Sequence, residues 1–507
     1  MASGARAIGA LALAMVIAPL GAVAWRAGGL SLPAADLAAL RFTLTQAALS
    51  ALISVALAVP LARALARRRF PGRGALITLL GAPFLLPVIV AVMGLLAVFG
   101  RAGLLNAALG WLDLPPVSIY GLHGVVLAHV FLNLPLATRM VLQGWLAVPA
   151  ERFRLAAALG FGPADLARHL ERPMLREVVP GALATVFAIC LSSFAVALIL
   201  GGGPAATTLE LAIYQAVRFD FDLGHAAGLA LAQAAIGGLA ALAAWRLAAP
   251  SAFGAGLDRA WPIAAPGGWR LATDAALITL GAGFLLVPLG AVVAGGLPGL
   301  ANLPPLVWPA VLRSLLVALL STAVTMAAAL CLTLAVARGR DGWLNLAAAL
   351  PLATSGLVLG TGLFLLLRPL APPGALALPV TVAVNALLTL PFAYRLILPE
   401  ARALHTGYDR LAGSLGLSGL ARLRLLTLPR LARPLGFAAG LSAALSMGDL
   451  GVIALFAGER EATLPLVIQR LVSAYRVDQA AGASLLLVGL SFALFWLFDA
   501  GGRRAAA

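Results

Sequence analysis

The chain contains no lysine; all 35 of its basic residues are arginine. A P-loop ATPase needs a lysine to reach the β- and γ-phosphates, so ATP hydrolysis by this chain through that machinery is excluded. Cysteine is nearly absent. Cys190 and Cys331 lie inside apolar runs, without the spacing of a disulfide framework or a metal site, and read as packing residues. Charged residues make up 11% of the chain, against roughly a quarter in an ordinary globular protein. No cluster of histidine with carboxylates falls in or beside an apolar run, so a membrane-embedded enzyme has no candidate residues. His169 and His225 stand in polar stretches with no metal-ligand spacing. The expectation is a chain with no metal or cofactor of its own, no catalysis and, despite a formal charge of +16, no nucleic acid partner.

What fills the chain is apolar: 62% of residues are hydrophobic and the mean hydropathy is +1.02. A run of about 20 such residues crosses a bilayer. Runs near 7–25, 43–62, 75–99, 118–140, 178–200 and 224–245, then 271–295, 309–336, 343–367, 376–398, 431–457 and 480–499, predict an all-α polytopic membrane protein of twelve spans. With the N-terminus inside, 26 arginines face the cytoplasm and nine face outward, as the positive-inside rule asks. Both termini are then cytoplasmic. The basic start of the first run and the small residues Ala22, Val23 and Ala24 also fit a cleavable leader, whose loss would remove one span.

The chain repeats itself. Leu134-Pro135-Leu136-Ala137-Thr138-Arg139 returns as Leu390-Pro391-Phe392-Ala393-Tyr394-Arg395, an offset of 256. Arg154-Leu155-Ala156, Leu159-Gly160 and Pro173 return as Arg410-Leu411-Ala412, Leu415-Gly416 and Pro429 at the same offset. Thr208-Leu209-Glu210-Leu211 matches Thr463-Leu464-Pro465-Leu466, and Ala226-Ala227-Gly228 matches Ala480-Ala481-Gly482, at offsets of 255 and 254. Such order implies a tandem duplication: a first half 1–250, a cytoplasmic linker 251–270 and a second half 271–507. Six spans per half make the copies parallel, with a pathway between them.

The longest polar stretches, 146–177 and 402–430, are one segment written twice. Leu155 with Leu159, and Leu166 with Leu170, stand at i,i+4 and predict apolar stripes on short helices. Gly160 and Gly416 permit a turn or a close approach, and Pro173 and Pro429 mark the return to the membrane. Together these residues resemble the cytoplasmic loop of ABC-importer permeases, with its Glu-Ala-Ala, a Gly after three residues, and a later Leu-Pro. Both copies keep the second Ala (Ala156, Ala412), the Gly and the Pro, and replace the leading Glu by Arg154 or Arg410. The resemblance implies coupling segments 150–173 and 406–429 that dock on two copies of a separate ATPase subunit, which carries the ATP and magnesium.

Three further blocks are similar to thiamine permeases, a family related to iron(III) permeases: Leu200-Gly201-Gly202-Gly203-Pro204-Ala205-Ala206-Thr207-Thr208-Leu209-Glu210-Leu211-Ala212-Ile213-Tyr214-Gln215-Ala216; Arg67-Arg68-Arg69-Phe70-Pro71-Gly72-Arg73; and Ser446-Met447-Gly448-Asp449-Leu450-Gly451. The resemblance implies a permease subunit in the bacterial inner membrane that receives thiamine or its phosphate esters from a periplasmic binding protein. Iron(III) or polyamines are the alternative cargoes, and a twelve-helix secondary transporter the alternative class. An intramembrane carboxylate costs about 2.5–3.5 kcal/mol by insertion scales, so Asp449 is a pathway candidate for a cationic substrate, with Phe194 offering a cation-π face. The blander reading, which the residues favour, is that it caps a broken helix or pairs with an arginine near the outer mouth. Ser192, Ser193, Asn133 and Thr389 could line the pathway or bond a neighbouring backbone. Glu210, Asp220 and Asp222 are expected outside, beside Tyr214 and Phe219, facing a delivery protein or solvent.

Overall fold

Apolar runs interrupted by arginine, glycine and proline should make helices that end where the polar residues begin, and the computed structural model bears this out. It describes residues 2–29, 33–81, 85–203, 206–247, 267–339 and 342–506. Most of the expected linker, with Arg259, lies outside the described residues, as do Pro204, Ala205 and Arg340. All regular structure described is helical. Eleven helices are long and apolar enough to cross a membrane, or twelve when Trp343–Ala353 and Gly356–Leu367, bent by 98°, are taken as one span.

The first half runs through α1 (Ala2–Ala27), α2 (Ala34–Arg67), α3 (Val88–Phe99), α4 (Leu122–Ala147), α5 (Ala150–Ala158), α6 (Arg172–Leu191), α7 (Ala195–Leu200), α8 (Leu209–Arg218) and α9 (Leu223–Arg246). The second runs through α10 (Trp269–Leu300), α11 (Val307–Ala337), α12 (Gly356–Leu367), α13 (Pro373–Ser414), α14 (Leu428–Met447), α15 (Gly451–Phe456), α16 (Leu464–Ser473) and α17 (Val477–Ala505). Helices α2, α4, α6 and α9 form one bundle, and α11, α13, α14 and α17 the other. The same bond fixes the short helix of each: Thr43 Oγ1 accepts from Leu209 N at 2.9 Å, and Ser314 Oγ accepts from Leu464 N at 2.8 Å.

The halves exchange their first helices. α1 packs on α9 but also on α11 and α12 of the second half, and α10 packs on α17 but also on α2 and α3 of the first. Two glycines permit this. A Cβ on Gly362 would stand 2.4 Å from the Pro19 carbonyl oxygen, and one on Gly94 would stand 2.7 Å from that of Pro288. Each proline lies within its helix, and a glycine on the neighbour gives the backbones their only room. The outer faces stay apolar and exposed, with Leu280, Leu286, Val293 and Leu297 along α10, a surface suited to lipid chains.

Several predicted boundaries move. The spans expected at 178–200 and 431–457 are broken: α6 stops at Leu191 and α14 at Met447, and each resumes after three residues as a six-residue helix. The span expected at 376–398 continues unbroken to Ser414, so the first turns of segment 406–429 belong to α13. In the first copy Pro149 interrupts the corresponding path between α4 and α5; His405 stands at the matching position of the second, keeps its N–H, and lets the helix run on.

Candidate functional site

Each loop segment is built around one helix ending. Gly160 and Gly416 have φ of +68° and +67°, and no atom lies near where their Cβ would be. Their role is therefore the turn rather than a tight backbone approach. Phe161 N donates to Ala156 O, and Leu417 N to Ala412 O, each at 2.9 Å, the 6→1 bond of a Schellman ending with glycine in the left-handed place. Ala156 and Ala412 are buried, while Leu155, Leu159, Leu411 and Leu415 are all more than half exposed. Arg154 and Arg410 are exposed beside them. The two alanines of the repeated motif thus hold the turn, and the leucines are left to face outward.

Beyond the turn, residues 167–171 and 423–427 form π-helical turns that lead into α6 and α14. Pro173 and Pro429 explain them, since a proline there cannot donate to the carbonyl four residues back. The expected stripe of Leu166 with Leu170 is interrupted by the wider turn, and both residues are half-buried. Arg63 holds the first segment through Glu171, with N···O distances of 3.0 and 2.9 Å. The second is tied by Asp409, which pairs with His405 at 2.7 Å and with Arg422. At the same end Arg67 and Arg68 of the first half converge on buried Asp274 of the second at 2.6 and 2.7 Å.

The broken helices lie deeper. At the first break, Gln46 Nε2 donates to Cys190 O at 2.9 Å and Gln233 Nε2 to Leu191 O at 3.0 Å, so the carbonyls released by the break are satisfied within the protein. His129 lies 2.6 Å from Ser193 Oγ and 3.4 Å from Ser50 Oγ. Asn133 donates to His129 O at 2.9 Å and to Cys190 Sγ at 3.4 Å. Thr389 bonds Thr325 at 2.8 Å. The break therefore gathers Ser193, Phe194 and Asn133, the latter bonded to backbone and thiol, while Ser192 is exposed. His129, Gln46 and Gln233 escaped the sequence reading, although the 256-residue offset placing His129 opposite Asn385 and Ser193 opposite Asp449 was a usable signal.

Asp449 stands at the second break with its carboxylate toward the backbone N–H groups of Gly451, Val452 and Ile453 at the start of α15; Oδ2 is buried with no hydrogen-bond partner. Glu210 corrects the sequence expectation. It faces neither a delivery protein nor solvent but is 3% exposed in the first turn of α8. There it meets the hydroxyl of Ser355, which caps α12 by accepting from Val358 N at 3.2 Å. Tyr214, one turn on, lies tilted at 5.1 Å from Phe194 and edge-on at 5.7 Å from Phe219. Asp222 caps α9 through Gly224 N and His225 N, and His225 reaches Asp36 at 2.8 Å.

A duplicated helical membrane protein with paired loop turns at one end and paired helix breaks within is built as a permease. Comparison with known proteins gives the particular kind. The chain is 40% identical over 478 residues to the thiamine transport system permease protein ThiP of Escherichia coli K12, covering 90% of this chain and 88% of that protein. It is 40% identical over 472 residues to its counterpart in Salmonella typhimurium, with 90% and 88% covered, and 39% identical over 480 residues to that of Brucella abortus, with 92% and 87% covered. A molybdenum transport system permease protein of Azotobacter vinelandii is 29% identical over 178 residues, 35% of this chain. No family model matches. The chain belongs to the thiamine transport system permease family.

Proposed function

We propose that this chain is the membrane-spanning subunit of an ATP-driven importer that carries thiamine, received from a periplasmic binding protein, across the bacterial inner membrane. The observation that carries the reading is the identity of about 40% to thiamine permeases, spread over nine-tenths of the chain. Both termini lie in the cytoplasm, with 26 of the 35 arginines on that side. The two Gly-ended turns then face the cytoplasm, and their exposed leucines dock on two ATPase subunits. Those subunits hold the ATP and magnesium. ATP binding draws them together, the turns move with them, and the halves rock about the pathway between the two breaks.

The test is uptake of labelled thiamine in a strain lacking this chain, with ATP depleted by an agent that preserves the membrane potential. Loss of uptake in the deletion, and ATP dependence in the parent, are expected. Uptake unchanged by deletion would move the search to iron or polyamines. Dependence on this chain without dependence on ATP would restore the secondary transporter.

A further inference from the structure

We propose that Glu210 and Asp449, together with the rings of Phe194 and Tyr214, form a recognition site for an organic cation bearing an aromatic ring, the class of molecule to which thiamine belongs. The proposal rests on the importer reading above and supplies the residues that reading lacks.

The two carboxylates come from opposite halves, and Glu210 reaches the second half because α8 crosses over. It packs on α12 and α15 of the second half, which brings Glu210 to Ser355 at the start of α12. The start of α12 lies against the start of α15: a Cβ on Gly356 would stand 3.4 Å from Val452 Cγ2, and one on Gly451 would stand 3.8 Å from Leu357 Cδ1 and 4.0 Å from Asp449 Oδ1. Glu210 and Asp449 thus flank one pair of adjoining helix starts. Each sits at a helix N-terminus, whose amides favour negative charge.

Among the described residues neither carboxylate is in an ion pair. Glu210 Oε1 and Asp449 Oδ2 are buried without a hydrogen-bond partner. Arg218 and Arg470 lie close enough to Tyr214 to act on its hydroxyl, and the bonds their guanidinium groups make are to backbone carbonyls rather than to the two acids. Arg218 donates to Ala457 O at 2.8 Å and Arg470 to Gly458 O at 2.9 Å, and Arg218 stands eight residues along α8 from Glu210, about 12 Å at helical rise. Two buried acids without a counter-charge are costly and make sense where a cation arrives. The aromatic pair one turn along α8 from Glu210 is a separate observation that points to the same ligand. Phe194 and Tyr214 are tilted by 60° rather than stacked flat, and a cation near their faces gains about 0.5–2 kcal/mol.

The site occurs once. In the repeat, Pro465 replaces Glu210, Gln469 replaces Tyr214, Ser193 replaces Asp449 and Leu450 replaces Phe194. Each half contributes what the other lacks, so the duplication has produced one asymmetric site rather than two symmetric ones.

The experiment measures uptake of labelled thiamine, and competition by a neutral analogue whose thiazolium nitrogen is replaced by carbon, in the intact transporter carrying Glu210→Gln, Asp449→Asn, both, or Glu210→Asp. The binding protein is unchanged throughout, so any altered preference belongs to the permease. Expected is a loss of about tenfold or more in thiamine uptake for each neutralising variant, a collapse of the preference for the cation over the neutral analogue, and partial recovery with Glu210→Asp. Copurification with the ATPase subunits reports folding. Wild-type uptake in the neutralised variants, or a loss that leaves the preference intact, would overturn the site while leaving the importer standing. Absence of thiamine uptake by the parent chain would overturn both.

Discussion

The two helix breaks began as copies and now differ in how they are closed. At the first, Gln46 and Gln233 donate to Cys190 O and Leu191 O, and His129 bonds Ser193. At the second, the matching positions hold Val317, Leu487 and Asn385; Asn385 reaches Ser446 O at 3.4 Å, and Ser446 Oγ has no partner. Both breaks keep buried oxygens without a partner, Gln46 Oε1 and Gln233 Oε1 at the first and Ser446 Oγ and Asp449 Oδ2 at the second. The difference is that the first is braced by two glutamine side chains at 2.9 and 3.0 Å, whereas the second has one longer side-chain bond and carries a carboxylate, which suits it to move or bind. By contrast, the Gly-ended turns have hardly diverged, with the same φ and the same bond in each copy. Duplication is preserved at the loops and spent on specialisation within the membrane.

Four sets of substitutions break or sharpen this contrast. The largest effect is expected where the halves cross. Gly94→Val and Gly362→Val force a side chain against a carbonyl of α10 or α1, and each should lower stability by about 1–3 kcal/mol or more through overpacking, read as lost monodisperse yield in detergent. The two should be equally harmful. Next is Gln46→Leu, which strands a buried carbonyl at a cost of about 1–3 kcal/mol and should lower the thermal midpoint. Leu487→Ala, at the position matching Gln233, removes no hydrogen bond and would differ in kind, softening packing without exposing a carbonyl. Ser193→Ala is milder, since His129 retains Ser50, and its uptake should stay well above that of Asp449→Asn. The smallest effect is Gly160→Ala or Gly416→Ala, about 1 kcal/mol each for an L-residue in the left-handed region. The Asn variants should fare better, and the two loops should respond alike in melting experiments.

Much of this was legible in the residues. The 256-residue offset implied a duplication, and the spacing of Ala156 and Gly160 against Ala412 and Gly416 marked a turn or a close approach in each loop, of which the backbone shows the turn. The second break was hinted at only by Asp449, readable as the cap of a broken helix, a place the carboxylate takes at the start of α15. The first was not legible because Cys190-Leu191 sits in a run as apolar as any intact span, and hydropathy does not register a lost turn. Glu210 was misplaced for the opposite reason: next to a Gly-Pro stretch and near Asp220, it reads as a surface acid, and only the crossing of α8 onto α12 buries it. The exchange of α1 and α10 left no trace in periodicity, since a lipid-facing helix and one packed on the other half share the same composition.

Amide hydrogen exchange across the two breaks tests the central claim most directly. The account predicts slow exchange at 191–196, unchanged by thiamine, and faster exchange at 447–452 that slows when thiamine and the binding protein are supplied to the intact transporter. Equal protection at both breaks, or a response confined to the first, would contradict it.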